Sequence, residues 1–305
     1  MARSIILGAG GFLGHHLAHA LAARGERPVL AGLSAPLSLP GPADQITSGH
    51  LTGFDALDPH AEEGATCYYL ISTMTPSNSA GQPSAFIAAN LELFVRFLEW
   101  AEQRPGIRVV YVSSGGTVYG NADVLPTPET APLKPISFYG LLKAAAEQHL
   151  RLFADRGRLS GTVLRLANPF GPGQRLNRGQ GLVPAILSRV RAGEPVDILD
   201  EGRAVRDYLY IDDAVEAMIL GGQHPALVNE TVNVGTGKGT SVMEVVQLIE
   251  RELGQAIPKR FAAGRAADVA VSTLDASRLT RLIGWSPRFT LEEGLKACIA
   301  AELAS

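Results

Sequence analysis

The stretch SIILGAGGFLG, positions 4 to 14, constrains this chain more than any other. A short apolar run stops at Gly8. Glycines recur at Gly11 and Gly14, with Gly10 as an extra, and a helical pattern then continues to Arg24 before Gly25. A strand turning straight into a helix asks three things of glycine. The turn must be tight, the backbone must admit a close neighbour, and the helix must pack closely on the strand. The helix start also offers free N–H groups and a partial positive charge to an anion. The spacing is GxxGxxG rather than GxGxxG, but the physics is shared. The turn therefore predicts a parallel α/β sheet whose first crossover seats the pyrophosphate of a dinucleotide.

The rest of the chain agrees with that sheet. Short apolar runs at 4–7, 28–31, 67–72, 108–113 and 161–166 alternate with helical patterns at 11–24, 85–102 and 139–153. Continuous apolar strands between amphipathic helices predict a parallel sheet covered on both faces. Residues 33–48, rich in Pro, Ser and Gly, read as loop. After Asn168 the texture changes to NPFGPGQRLNRGQG, a long loop, then a helix at 182–192, a strand at 196–199, RDYLYIDD, a strand–glycine loop–helix unit, and two final helices separated by Pro287. The expected architecture is a doubly wound parallel sheet, a Rossmann fold, with a smaller interleaved α/β C-terminal part. Residues 1–170, with a return at about 205–235, form the dinucleotide-binding domain; 171–204 and 236–305 form the substrate domain. A chain of 305 residues is long enough for that division.

Bulk properties narrow the partners. A net charge of −3 gives no reason to expect nucleic acid. Cys67 and Cys298 are far apart and lack metal-ligand spacing, so they read as packing residues in a reducing compartment. No apolar run is long enough to span a bilayer, and the N-terminal strand begins where a signal peptide would lie; a cytoplasmic enzyme is expected.

Two features qualify the dinucleotide site. An acidic residue at the end of the second strand usually holds the ribose of NAD. Here that place reads Ala31–Gly32, no arginine stands ready for a 2′-phosphate, and Ser34 is the nearby polar side chain. This stretch does not choose between NAD and NADP. His15, His16 and His19 share the first helix, and His15 and His19 are spaced to share a face, but no third ligand accompanies them, so they read as helix surface and no metal is expected.

The chemistry is carried further along. Tyr139 and Lys143 form a Y-x-x-x-K pair whose spacing puts both on one helix face. A neighbouring ammonium favours the phenolate, so the pair predicts a phenol that exchanges a proton with an alcohol near neutral pH. Upstream, the buried strand RVVYVS runs into Ser113, Ser114 and Thr117, at the strand end where ligands of a parallel sheet lie.

In order, GAGGFLG, SSGGTVYG, FYGLLK, RLANPFGPGQ, VRDYLYIDD, NVGTG and GWSP resemble the extended short-chain dehydrogenases/reductases, specifically the nucleotide-sugar epimerase/dehydratase group. The resemblance implies that Gly8, Gly11, Phe12, Leu13, Gly14, Ser34, Ser72 and Lys143 contact NAD. It implies that Tyr139 and Lys143, with a hydroxyl residue, serve the nicotinamide and the sugar. Asn168, Arg206 and Arg265 take the places of residues that hold the nucleotide diphosphate, with Arg175, Asn177 and Arg178 near the nucleotide. The group's usual catalytic hydroxyl stands where this chain has Gly115, so Thr117 or Ser114 must replace it, with Thr117 slightly favoured. His50 stands where an aspartate commonly meets adenine. The resemblance also implies a homodimer that pairs helices 85–102 and 139–153 into a four-helix bundle.

Three reactions compete on this scaffold. A 4,6-dehydratase has an Asp–Glu pair where this chain has Gly116 and Thr117, which disfavours dehydration. The reading is a nucleotide-diphosphate-sugar 4-epimerase, acting on a UDP-sugar through a 4-keto intermediate. An NAD(P)H-dependent keto-sugar reductase is the first alternative, and a non-catalytic nucleotide-binding member the second.

Overall fold

The computed structural model describes residues 3–47, 53–73, 82–174, 181–264 and 269–303. Strand β1 (Ser4–Leu7) passes through the glycine turn into α1 (Phe12–Ala23), then β2 (Val29–Ala31) and β3 (Asp44–Ile46). The chain crosses back to β4 (Thr66–Tyr69), α2 (Pro83–Phe86), α3 (Leu93–Glu102) and β5 (Arg108–Ser114). A short α4 (Gly115–Val118), α5 (Phe138–Asp155) and β6 (Ser160–Leu166) follow. Seven parallel strands lie in the order β10-β6-β5-β4-β1-β2-β3, with β10 (Thr231–Val234) entering beside β6 after α7 (Ile211–Gln223).

Side chains alternate across a strand, so each strand feeds two cores. Ile6, Tyr68, Val110 and Leu164 pack with Leu17 and Leu21 of α1 and Met218 of α7. Ile5, Cys67, Val109 and Val163 pack with Phe94 and Phe97 of α3 and Leu150 of α5. Burial on both faces is why the strands read as continuous apolar runs. Cys67 in β4 and Cys298 are free and buried, and burial pushes both thiols up to about 12.

Two expectations need correction. The stretch 33–48 is not all loop: β3 pairs with β2 as the edge strand. Three residues, two of them polar, carry no period, and Asp44 is held there by Arg3 and Arg27. The helix expected at 85–102 begins at Pro83 and widens to π geometry over Ile87–Glu92 before α3.

The remaining elements are β7 (Asn168–Phe170), α6 (Leu182–Ala192), β8 (Val196–Leu199), β9 (Val205–Tyr210), β11 (Gly239–Ser241), α8 (Val242–Leu253), β12 (Lys259–Ala262), β13 (Val271–Ser272), α9 (Ser277–Ile283) and α10 (Leu291–Leu303). Strand β9 is their hub, flanked by β11 and β13 and also paired with β7. Two buried aspartates tie this part together. Asp207 accepts hydrogen bonds from the N–H and hydroxyl of Thr236 and the N–H groups of Gly237 and Leu274, at 2.6–3.2 Å. Asp213 accepts from the N–H groups of Arg288 and Phe289 at 3.0–3.1 Å and so fixes the approach to α10.

Candidate active site

The strand ends that follow β1, β4, β5 and β6 share one edge of the sheet, on both sides of the point where chain order reverses between β1 and β4. Crevices of parallel sheets form there. At β1, Gly8 adopts φ of +91°, a conformation that favours glycine. A Cβ on Gly14 would lie 2.7 Å from Ala9 Cα, so α1 could not approach the turn with any larger residue. Helix α1 begins at Gly11 with no side-chain cap and no acidic residue in its first turn. Its leading N–H groups, at Phe12, Leu13 and Gly14, thus lack side-chain competitors for an anion. This cradle fits a dinucleotide pyrophosphate.

At the end of β2, the carbonyl of Ala31 accepts from Gly8 N–H at 3.0 Å and Ala9 N–H at 3.2 Å. Leu33 is buried and Ser34 exposed, with neither carboxylate nor guanidinium on residues 31–38. Ser72 lies just beyond β4, partly buried. His50 lies outside the described residues. The His15 and His19 rings stand 4.5 Å apart, and His16 Nε2 is 3.0 Å from the carbonyl of Pro172. Among the described residues no three His, Cys, Asp or Glu side chains cluster as a metal site.

Helix α5 presents the reactive pair. Ser137 caps it by accepting from Gly140 N–H at 3.1 Å, which puts Tyr139 in the first turn and Lys143 one turn on. Ser114, the last residue of β5, neighbours the Tyr139 phenol closely enough to lower its pKa. Thr117 instead donates to the carbonyl of Ser114 at 3.4 Å. Of the two candidate hydroxyls, Ser114 is the one brought to Tyr139. Lys143 Nζ donates to the carbonyl of Val112 at 2.8 Å and sits over the rings of Tyr111 and Tyr139, 4.9 and 5.8 Å from their centroids.

The expected lowering of the phenol by the ammonium is not what this geometry gives. Burial pushes Tyr139 up to about 12, and the neighbouring Ser114 side chain pulls only partly against it. The ammonium is turned to a backbone carbonyl and to ring faces, so loss of hydration dominates. Burial likewise brings Lys143 down to about 8, opposed by the carboxylate of Glu147.

Around this pair stand residues that local spacing did not reveal. A Cβ on Gly115 would lie 2.8 Å from Leu274 Cδ2; the leucine fills the place of a side chain at 115. A Cβ on Gly116 would meet Asn168 Oδ1 at 3.3 Å and Ser272 Oγ at 3.5 Å. Asn168 opens β7, and Arg206 lies in β9, donating to the carbonyl of Val205 at 2.8 Å. Arg175, Asn177, Arg178 and Arg265 lie outside the described residues. Asn90, within the π turn, accepts from Thr73 N–H at 2.9 Å. With Tyr69, Tyr111, Tyr139 and Lys143 it lines a cavity of about 20 Å3. A π turn next to an active site is a recurrent arrangement, but no sequence pattern marked it.

Residues 4–235 match the model of the NAD dependent epimerase/dehydratase family. The UDP-glucose 4-epimerase of Mycolicibacterium smegmatis is 30% identical, with 96% of each chain covered. The crystal structure of UDP-glucose 4-epimerase with UDP-glucose from Thermotoga maritima superposes with a TM-score of 0.91 over 99% of each chain, at 30% identity. MoeE5 in complex with UDP-glucuronic acid and NAD gives 0.90 over 99% of each chain, at 29% identity. The chain belongs to the NAD dependent epimerase/dehydratase family.

Proposed function

We propose that this family member is a nucleotide-diphosphate-sugar 4-epimerase acting on a UDP-sugar, with Tyr139 as its acid/base. One observation carries the reading: the Tyr139 phenol, beside Ser114 and Lys143, stands at the sheet edge that also holds the glycine cradle. NAD, when bound, supplies the hydride acceptor and donor that interconversion at C4 requires. The N–H groups of Phe12, Leu13 and Gly14 would hold its pyrophosphate, and Lys143 would hold its nicotinamide ribose. Tyr139 rests protonated, since burial holds it high. That form suits protonation of a keto oxygen on sugar C4; the Ser114 side chain favours the phenolate that removes the proton in the opposite half. Asn168, Arg206, Arg175 and Arg265 grip the diphosphate, whose charge suits guanidinium forks. The sugar, held through its diphosphate, is left to turn between the two half-reactions.

The residues at 171–204 and 236–305 are taken as the substrate domain. The reading includes a homodimer through α3 and α5, supported by Leu141 and Leu152 of α5, which are 54% and 61% exposed, and a cytoplasmic location, supported by two buried free thiols. The bare end of β2 keeps a second reading open, a keto-sugar reductase with exchangeable NAD(P)H. The test is interconversion of UDP-, GDP- and dTDP-sugars followed by NMR. Activity with a UDP-sugar, lost in Tyr139→Phe, is expected; full activity in that variant refutes the acid/base assignment. NADPH oxidation by a 4-keto sugar without epimerisation selects the reductase.

A further inference from the structure

Tyr139, Lys143 and Glu147 stand four residues apart and share one face of α5. Glu147 is 4% exposed. Its carboxylate accepts from Ser113 Oγ and from Arg165 Nε and Nη2 at 2.7–3.2 Å. Arg165 Nη1 donates to Tyr119 Oη at 2.8 Å, and Tyr119 Oη donates to Asn233 Oδ1 at 2.8 Å. A buried polar chain thus runs from α5 across β5 and β6 to β10, and its α5 end lies one turn from Lys143. The chemistry assigned above uses none of these groups. Stability alone is a poor reason for them, because well-packed apolar residues often replace a buried ion pair without loss.

Two features give the chain a task. Ser113 precedes Ser114, so its bond to Glu147 ties the strand end that meets the phenol to the helix that carries the phenol. The second is charge. Lys143 is faced by Tyr139 and Glu147 from α5, Tyr111 from β5 and Tyr69 from β4, while the π turn and α3 bring Asn90 and Phe94. Arg165 of β6 stands on the far side of Glu147. Glu147 is the carboxylate in this set, and its charge opposes the dehydration of the lysine.

We propose that Glu147 is a positioning residue for the reaction: fixed by Ser113 and Arg165, its carboxylate is the counter-charge that keeps half-buried Lys143 an ammonium, and it locks the end of β5 to α5. The proposal rests on Tyr139 and Lys143 being the working pair. Glu147→Gln keeps the shape and an acceptor for Ser113 but removes the charge. Competitive labelling of the intact protein with acetic anhydride across pH, read on the Lys143 peptide by mass spectrometry, gives the lysine's midpoint without substrate. That midpoint is expected to fall by about one unit, the low end for loss of a neighbouring opposite charge. The alkaline limb of kcat/KM should fall with it. Ser113→Ala keeps the charge and leaves the midpoint in place. Should Glu147→Gln not fold, Glu147→Gln with Arg165→Met removes both charges and predicts a fall in the same direction. An unmoved midpoint in either folded variant, or an equal fall in Ser113→Ala, overturns the proposal. Labelling needs no turnover, so such a failure is separate from an active Tyr139→Phe, which would refute the acid/base reading instead.

Discussion

Alanine at position 115 tests how the reactive strand end is held. A Cβ there lies 2.8 Å from Leu274 Cδ2 and 3.2 Å from Cγ, whereas packed carbons sit at about 3.5–4.0 Å. One of the two groups must move by about 1 Å. Leu274 has little freedom to do so. It is 1% exposed, its N–H donates to Asp207 Oδ2 at 3.2 Å, and Thr127 bonds the residues on either side of it at 2.9 and 3.0 Å. Overpacking of this kind costs about 1–3 kcal/mol, and the better helix propensity of alanine returns at most about 1 kcal/mol. Leu274→Ala alone leaves a cavity and costs about 2–5 kcal/mol. In the double variant the new methyl enters the space the leucine left, so the combined cost falls short of the sum by about 1–3 kcal/mol. Urea unfolding with an unchanged m-value reads these terms. Ser114 is the next residue, so Gly115→Ala should also reduce turnover, and Leu274→Ala in the same chain should restore part of it. Additive unfolding energies with unchanged turnover in Gly115→Ala would refute the reasoning.

Three further outcomes follow from the same geometry. Ser114→Ala should lower kcat about 100-fold, and Thr117→Ala only a few-fold; equal losses would remove Ser114 from its place beside Tyr139. Activity that depends on the Lys143 ammonium should decline as pH rises through about 8, because burial has lowered this group and the charged form exists below its midpoint; a pH–rate profile still climbing at pH 9 would contradict this. Asp207→Asn should lower the melting temperature, read by calorimetry. Oδ1 accepts from Thr236 and Oδ2 from Gly237 and Leu274, and an amide can serve only one of those pairs, leaving buried N–H groups unpaired at about 1–3 kcal/mol each.

The parts of this site legible in the sequence are those set by local spacing. Gly8, Gly11 and Gly14 had to fall where one turn joins one strand to one helix, and Tyr139 and Lys143 had to fall on one helix face. The apolar strands announced a sheet buried on both sides. What spacing could not give is whatever depends on distant residues meeting. Leu274 comes from the far end of the chain to fill the place beside Gly115, next to the proposed hydroxyl of Ser114. The phenol's raised pKa has the same origin: dehydration is set by everything packed around the ring, while the four-residue spacing to Lys143 speaks only of one neighbour. Strand β3 escaped because an edge strand of three residues has no period, and the π turn at Asn90 because helical apolar spacing continues through it.

The turn after β5 also bears on which reaction this site can perform. Water loss from a sugar needs an acid and a base beyond the one that serves C4. Here the turn offers Gly115, occupied from outside by Leu274, and Gly116, whose open side meets Asn168 Oδ1 and Ser272 Oγ within 3.5 Å. A carboxylate at 116 would meet those oxygens at close range, and two of the buried carboxylates are already committed: Glu147 to Arg165 and Ser113, and Asp207 to backbone N–H groups. Among the described residues, this leaves Tyr139 as the proton-exchanging group of the proposed reaction. Interconversion at C4 asks for that one group used twice, on opposite faces of the same sugar.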